Sequence, residues 1–281
     1  MKYFLILIAL FSIKLNAQND LKFDKRNVQC EDKWVTYQMD KDSTYHYGFI
    51  YIDSQAGLTF NYEGNFKIDK AGKFIKTSDL KKEATFLKAR LEPNKVAIAE
   101  IPESRFKELE IQKTPDWLKY YKTNENTVEW LYSRGYMYNG WEECEKALTY
   151  LEKANTQNPK FKGLQTELAY AYNALEKFDK AAIALKMAIE DNPKDCYSLK
   201  ELAFTYCQLS YFDKSIEIYN KMASFCQEKQ AVQESAFNLA AAYYRIKDKT
   251  KFDYWDKETR KWSTTPNIMT QYLDKYETDM K

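Results

Sequence analysis

The chain has 281 residues, with 43 Lys and Arg against 41 Asp and Glu and a formal net charge of +2. So even a balance offers no broad positive field for nucleic acid, whose binding draws on clustered excess Lys and Arg. With only 7 Gly there is no Gly-rich phosphate cradle, and no H-E-x-x-H or G-x-S-x-G run occurs, so nothing points to the nucleotide-binding or hydrolase classes that those motifs mark.

Residues 1–17 read as Met-Lys, an apolar run from Tyr3 to Ile13, then Lys14, Leu15, Asn16 and Ala17. At ~1.5 Å per helical residue the run covers only about half of a ~30 Å hydrocarbon core, so a cleaved secretory signal fits better than a spanning anchor or a cytosolic start. Ala17 is a small residue at the expected cut, and no Cys follows it for lipid attachment. The segment carries Lys2 and Lys14 and no acid, so the mature chain is left with 41 charges of each sign.

Residues 18–122 are expected to form a small α+β domain. Strands are read at Val28 to Tyr37, Tyr45 to Ile52, Leu58 to Ile68, from Phe74, and Val96 to Ile101, with Asp69-Lys70-Ala71-Gly72 as a hairpin turn. Tyr45 to Ile52 is apolar or aromatic on both faces and is assigned to the sheet centre. Leu58, Phe60 and Tyr62 alternate with Thr59, Asn61 and Glu63, which are expected on a wet face. Ser78 is expected to cap a helix through Leu80, Ala84, Leu87 and Leu91 that Pro93 ends. Short helices follow at Glu103 to Leu109 and Pro115 to Tyr121. The single histidine, His46, has no second ligand or nucleophile at a recognisable spacing and reads as a packed or surface residue. Asp40 and Asp42 begin like a calcium loop but lack its Gly and closing Glu, so a polar turn is expected. Trp34, Tyr37, Tyr45, Tyr47, Phe49 and Tyr51 admit two readings, a stacking platform for carbohydrate or the core and edge of a sheet.

Beyond 122 the periodicity becomes helical and the chain repeats itself. Gly135, Tyr138, Ala147, Leu151, Ala154 and Pro159 recur as Ala169, Tyr172, Ala181, Leu185, Ala188 and Pro193 at a constant step of 34 residues. A third copy carries Ala203, Tyr206, Ser215, Tyr219 and Met222 and lacks the proline. A fourth first-helix is legible in Ala236, Leu239, Ala240 and Tyr243, three residues late against the period, with a longer loop expected over Lys221 to Gln230. Its second helix, Lys249 to Trp262, keeps no small-residue register. Small residues at these positions let two helices of a pair approach closely, and proline ends one pair and starts the next. Over residues 126–262 the chain resembles the tetratricopeptide repeat family, with three clear repeats and one degenerate. Ile268, Met269, Tyr272, Leu273 and Tyr276 then place a capping helix over 267–281. The fold class expected is thus an α+β N-terminal domain followed by an all-α repeat solenoid.

The resemblance implies that first helices line a concave groove and that their residues not used in packing contact a ligand. In this sequence those are Tyr132, Tyr136 and Asn139 in the first pair and Thr166, Tyr170 and Asn173 in the second. Lys200 and Phe204 follow in the third, and Phe237 and Tyr244 in the fourth. Family members that clamp an acidic peptide terminus use several cations, whereas this set is aromatic with Lys200 almost alone, so an extended or helical protein segment is the expected ligand. Some of these rings are also candidates for packing against the N-terminal domain or the last helix.

Five cysteines, Cys30, Cys144, Cys196, Cys207 and Cys226, occur with no C-x-x-C spacing. Cys196 opens a helix and Cys226 follows its partner helix, so a disulfide between them and buried thiols are both open. No metal, cofactor, nucleic acid or integral membrane anchor is expected. The reading is an exported, periplasmic or extracellular, non-catalytic scaffold that binds protein or peptide, and the alternative is a carbohydrate-binding envelope protein using the aromatic sheet. If the signal is cleaved after Ala17, N-terminal sequencing of the mature protein begins at or near Gln18, about two kilodaltons short of the precursor at ~110 Da per residue; an intact Met1 in the washed envelope fraction would overturn export.

Overall fold

The computed structural model describes residues 20–79, 87–263 and 265–280. The expected signal at 1–17 and the middle of the helix expected after Ser78 lie outside the described residues. The chain divides into two compact units between Thr123 and Asn124. Among the described residues, no helix is long and apolar enough to cross a membrane.

The first unit is an antiparallel sheet of β1 (Lys33–Thr36), β2 (Tyr45–Asp53), β3 (Gly57–Ile68), β4 (Phe74–Asp79), β5 (Leu87–Arg90) and β6 (Ala99–Glu100). The order is β4-β3-β2-β1-β6, with β5 pairing β3 beside β4. β2 is central because its two faces are both apolar. Tyr47, Phe49 and Tyr51 point into one buried layer, and Ile50 and Ile52 alternate with them and are buried as well. The β3–β4 hairpin turns at Asp69 to Gly72, where Gly72 adopts φ 80° and the Asp69 carboxylate accepts from the Ala71 and Lys73 amides at 2.8 and 2.9 Å.

Four sequence expectations give way here. Thr59, Asn61 and Glu63 are buried. Thr59 and Asn61 pair across from Tyr51 and Phe49, whose face is covered by the segment Asp116–Tyr121 through Trp117. Leu87–Arg90 is a strand whose backbone pairs with Thr59 to Tyr62, so a long-range ladder overrides the local helical spacing. The two short helices are 3-10 turns, Glu103–Arg105 and Asp116–Tyr121, each begun at a proline with no side-chain cap, and β6 is shorter than the stretch Val96 to Ile101.

The second unit is helical throughout: α1 (Val128–Gly140), α2 (Cys144–Gln157), α3 (Leu164–Ala174), α4 (Phe178–Asp191), α5 (Cys196–Gln208), α6 (Phe212–Phe225), α7 (Lys229–Arg245), α8 (Lys249–Lys261) and α9 (Ile268–Asp279). Consecutive helices form pairs α1/α2, α3/α4, α5/α6 and α7/α8, and each first helix also packs on the first helix of the next pair. All four pairs turn alike. The amides of Glu143, Lys177, Tyr211 and Asp248 donate to the carbonyls of Tyr138, Tyr172, Tyr206 and Tyr243 at 2.8–3.0 Å. The residue before each amide, Glu142, Glu176, Ser210 and Lys247, has φ between 57° and 61°. A left-handed residue in this helix-ending motif is usually Gly; here non-glycine residues hold it in every pair.

The extra residues before the fourth pair do not lengthen a loop. α6 runs to Phe225 and α7 begins at Lys229, so α7 takes them up as added helix, 17 residues against 13 in α5. Cys196 at the start of α5 and Cys226 just after α6 form a disulfide with Cα atoms 6.0 Å apart. Closing a loop of this length is worth roughly 3 to 4 kcal/mol on the chain-entropy estimate.

The seam within each pair is made of residues too small to hold it open. Gly135, Ala147, Ala169, Ala181, Ala203, Ser215 and Ala240 are all buried, and a Cβ built on Gly135 would lie 2.3 Å from Leu151 Cγ, across on α2. Gly135→Ala therefore gains about 1 kcal/mol of helix propensity but is expected to lose more, since overpacking costs roughly 1 to 3 kcal/mol. Gly140, at the end of the same helix, has nothing within 4 Å of its built Cβ, so Gly140→Ala is expected to be neutral or stabilising. Urea unfolding of both variants checks this; a stabilised Gly135→Ala would refute the seam.

Candidate functional site

The first-helix face is assembled from polar and aromatic residues with different roles. Asn139, near the end of α1, is buried and its Nδ2 donates to the main-chain oxygen and to Oε2 of Glu167 on α3, both at 2.9 Å. One repeat on, Asn173 Nδ2 donates to Glu201 Oε2 at 3.2 Å and its Oδ1 accepts from the Thr205 hydroxyl at 2.9 Å. Thr166 meets the Ser198 hydroxyl at 3.1 Å. Lys200 bridges Glu201 at 3.1 Å and Glu234 on α7 at 3.3 Å. Burial opposes the Lys200 charge, yet the Glu201 and Glu234 carboxylates outweigh it and hold its pKa above the ordinary lysine value. These four members of the expected ligand set therefore bond each first helix to its neighbours. A buried polar group left without a partner costs about 1 to 3 kcal/mol, which is why amides and hydroxyls stand where α1, α3 and α5 meet.

The aromatic members divide differently. Tyr136 is 59% exposed, and Tyr132 is half-buried with its ring 6.3 Å from Tyr136 and 5.1 Å from Phe161. Tyr170 is half-buried; Phe204 is half-buried and meets Phe178 edge-on at 6.3 Å. Phe237 and Tyr244 are half-buried and touch the chain's own last helix: Tyr276 of α9 stacks on Tyr244 at 4.1 Å and lies parallel to Phe237 at 6.5 Å, and the Tyr244 hydroxyl donates to Asp279 at 3.0 Å. At these two positions of the expected ligand set an intramolecular contact is present. Tyr197 at the start of α5, 41% exposed, joins the face.

Carboxylates gather around these tyrosines. Burial raises the Tyr170 pKa, and the charges of Cys144, Glu142, Glu167 and Glu201 raise it further. Burial likewise raises Tyr197, with Glu201, Glu167, Tyr170 and Glu234 adding to it. Glu167 itself is raised by burial, partly offset by the Asn139 hydrogen bond. The face is thus acidic as well as aromatic, which sequence reasoning missed. The available signal was the step of 34 between Glu167 and Glu201, each one residue beyond an expected contact position.

In the first unit, a surface concavity of about 860 Å³ is lined by Asp40, Asp42, Thr44, His46, Asn65, Lys67 and Ser78, among others. His46 Nε2 sits 2.8 Å from Asp40 Oδ2 and its Nδ1 3.1 Å from the Tyr62 hydroxyl, which donates in turn to Asn65. Asp42 accepts from the Thr44 amide and hydroxyl at 3.1 and 2.8 Å, making the polar turn that its sequence implies. Trp34, Tyr47, Phe49 and Tyr51 are buried and form no exposed platform, because the 3-10 segment near Trp117 covers that side of the sheet. A smaller cleft of about 380 Å³ carries Trp117 and Tyr120 with Glu110 and Asp116. Among the described residues no group of three His, Cys, Asp or Glu is arranged to hold a metal. The unpaired thiols Cys30 and Cys207 are buried and pushed up to about 11, by burial first, which disfavours the thiolate that nucleophilic chemistry requires.

No protein-family model matches the chain, and no curated protein matches it.

The division into bonded and open residues is measurable. Asn139→Ala strands the Glu167 groups and is expected to lower stability by about 1 to 3 kcal/mol, whereas Tyr136→Ala stays within about 0.5 kcal/mol. Denaturant midpoints decide it, and equal losses would mean that Tyr136 belongs to the core.

Proposed function

We propose that this protein is an exported, non-catalytic scaffold whose helical unit is a tetratricopeptide-type solenoid and whose first helices form a groove for a protein segment. The observation that carries the reading is the run of large aromatics on one face, Tyr136 and Tyr197 open and Tyr132 and Tyr170 half-open, beside a seam of buried small residues from Gly135 to Ala240. Repeat stacking gives such a face a shallow curvature. Tyrosine combines large contact area with few rotors and a hydrogen-bonding end, so it is suited to the centre of an interface. What supports the repeat reading is the step of 34 residues in sequence together with the same turn in all four pairs. Export rests on the sequence of 1–17 alone. A second reading, binding of carbohydrate by the first unit, retains one specific foothold in Tyr120, 70% exposed in the cleft beside Trp117.

Replacing Tyr136, Tyr170 and Tyr197 together by Ala is expected to abolish affinity capture of the partner from the envelope fraction, since central aromatics commonly carry ~2 kcal/mol or more each. Replacing Lys153, Lys186 and Lys221 on the second helices is expected to leave capture unchanged. A folded triple tyrosine variant that retains every partner would remove the groove from consideration and direct attention to Tyr120.

A further inference from the structure

We infer that the segment held on the first-helix face is cationic, bearing lysine or arginine side chains that enter between the tyrosines; this rests on the groove reading above. The chain sets a cation over its other first-helix tyrosines. Tyr138, Tyr172, Tyr206 and Tyr243, the buried tyrosines of the four first helices, each have a lysine of the paired second helix over the ring: Lys146 at 4.3 Å, Lys180 at 5.4 Å, Lys214 at 5.7 Å and Lys251 at 5.0 Å. The ring quadrupole favours a cation above its face, and the repeat supplies one every time.

On the opposite side of the same helices the arrangement is reversed. Among the described residues no lysine or arginine lies over Tyr132, Tyr136 or Tyr170, and Tyr197 alone has Lys200, at 4.9 Å. The carboxylates that act on Tyr170 and Tyr197 are those of Glu142, Glu167, Glu201 and Glu234. Against these four carboxylates stands Lys200, which is already shared between Glu201 and Glu234; Arg245 stands further along, acting on Cys207. Among the described residues no cation pairs with Glu142 or Glu167. Open ring faces and unneutralised carboxylates within one patch are complementary to Lys and Arg, while an acidic segment would meet like charge and find Lys200 already occupied. The fourth pair indicates that the face accepts a docked segment, since α9 covers Phe237 and Tyr244 through stacked rings.

The test uses the mature full chain and three fluorescein-labelled 12-residue peptides of alternating Lys and Leu, Glu and Leu, or Ser and Leu, titrated by fluorescence anisotropy. Expected are binding of the Lys peptide at least tenfold tighter than the other two, and weakening as salt rises from about 0.05 to about 0.5 M. Loss is expected in the variant Tyr136→Ala/Tyr170→Ala/Tyr197→Ala. The isosteric pair Glu142→Gln/Glu167→Gln, which removes charge without removing an internal ion pair, is expected to weaken the Lys peptide about tenfold with its melting temperature unchanged. Binding of the Glu peptide as tight as the Lys peptide, lost in the tyrosine variant, would overturn the cationic inference and leave the groove standing. Lys-peptide binding that survives the tyrosine variant would overturn both, and failure of the Lys peptide to bind would overturn the inference.

Discussion

The second unit depends on how closely two helices of a pair can approach. Gly135 has Leu151 of the partner helix where its own side chain would be, and alanine or serine stands at the equivalent contacts in later pairs. Close approach buries the long side chains that flank the seam, among them Leu131, Leu148, Leu168, Leu185, Leu202 and Leu239. Dispersion and burial then accumulate over many atoms. Once the seam is fixed, the orientation of each first helix is fixed with it, and so is which of its sides remains for another purpose.

That remaining side has two layers. Near the helix axes, Asn139, Thr166, Asn173 and Lys200 reach the next first helix and bond to it. Further out stand the tyrosines. The inner layer sets the spacing between pairs, and the outer layer inherits that spacing, so the tyrosines are positioned by bonds that they do not make. The Cys196–Cys226 disulfide acts at a third level, tying the entry of the third pair to its exit and restricting chiefly the unfolded chain.

Most of this was legible where the physics is local. Gly135, Ala169 and Ala203 betray the seam because nothing larger fits, and the two apolar faces of β2 mark it as central. The missed features are those decided at a distance. Leu87 lies at helical spacing from Leu80, Ala84 and Leu91, yet residues 87–90 complete a ladder with β3, and no local pattern encodes the partner strand. Thr59, Asn61 and Glu63 look like a wet face because the layer that covers Thr59 and Asn61 arrives much later in the chain, around Trp117. The left-handed residues Glu142, Glu176, Ser210 and Lys247 carry no glycine signal; the amide that follows each has to hold it there by donating to the tyrosine carbonyl five residues before that amide. Phe237 and Tyr244 stand in the register of Lys200 and Cys207 one pair earlier, and the rings of α9 that pack on them follow a path that no local pattern announces.

Charge is segregated across the helices in a chain whose totals nearly cancel. Lysines of α2, α4, α6 and α8 lie over the buried first-helix tyrosines, while glutamates act on the tyrosines of the open side. Net charge therefore says nothing about either face, because fields over a Debye length of about 8 Å are set by local groups. A repeat makes such segregation easy to build: one choice of lysine and glutamate positions, copied at a step of 34 residues, lays like charges along a whole side. The same copying explains why the polarity weakens towards the C-terminus. The fourth pair departs from the step, Arg245 enters its first helix, and α9 closes over its aromatics; the open acidic and aromatic surface belongs to the pairs that keep the period.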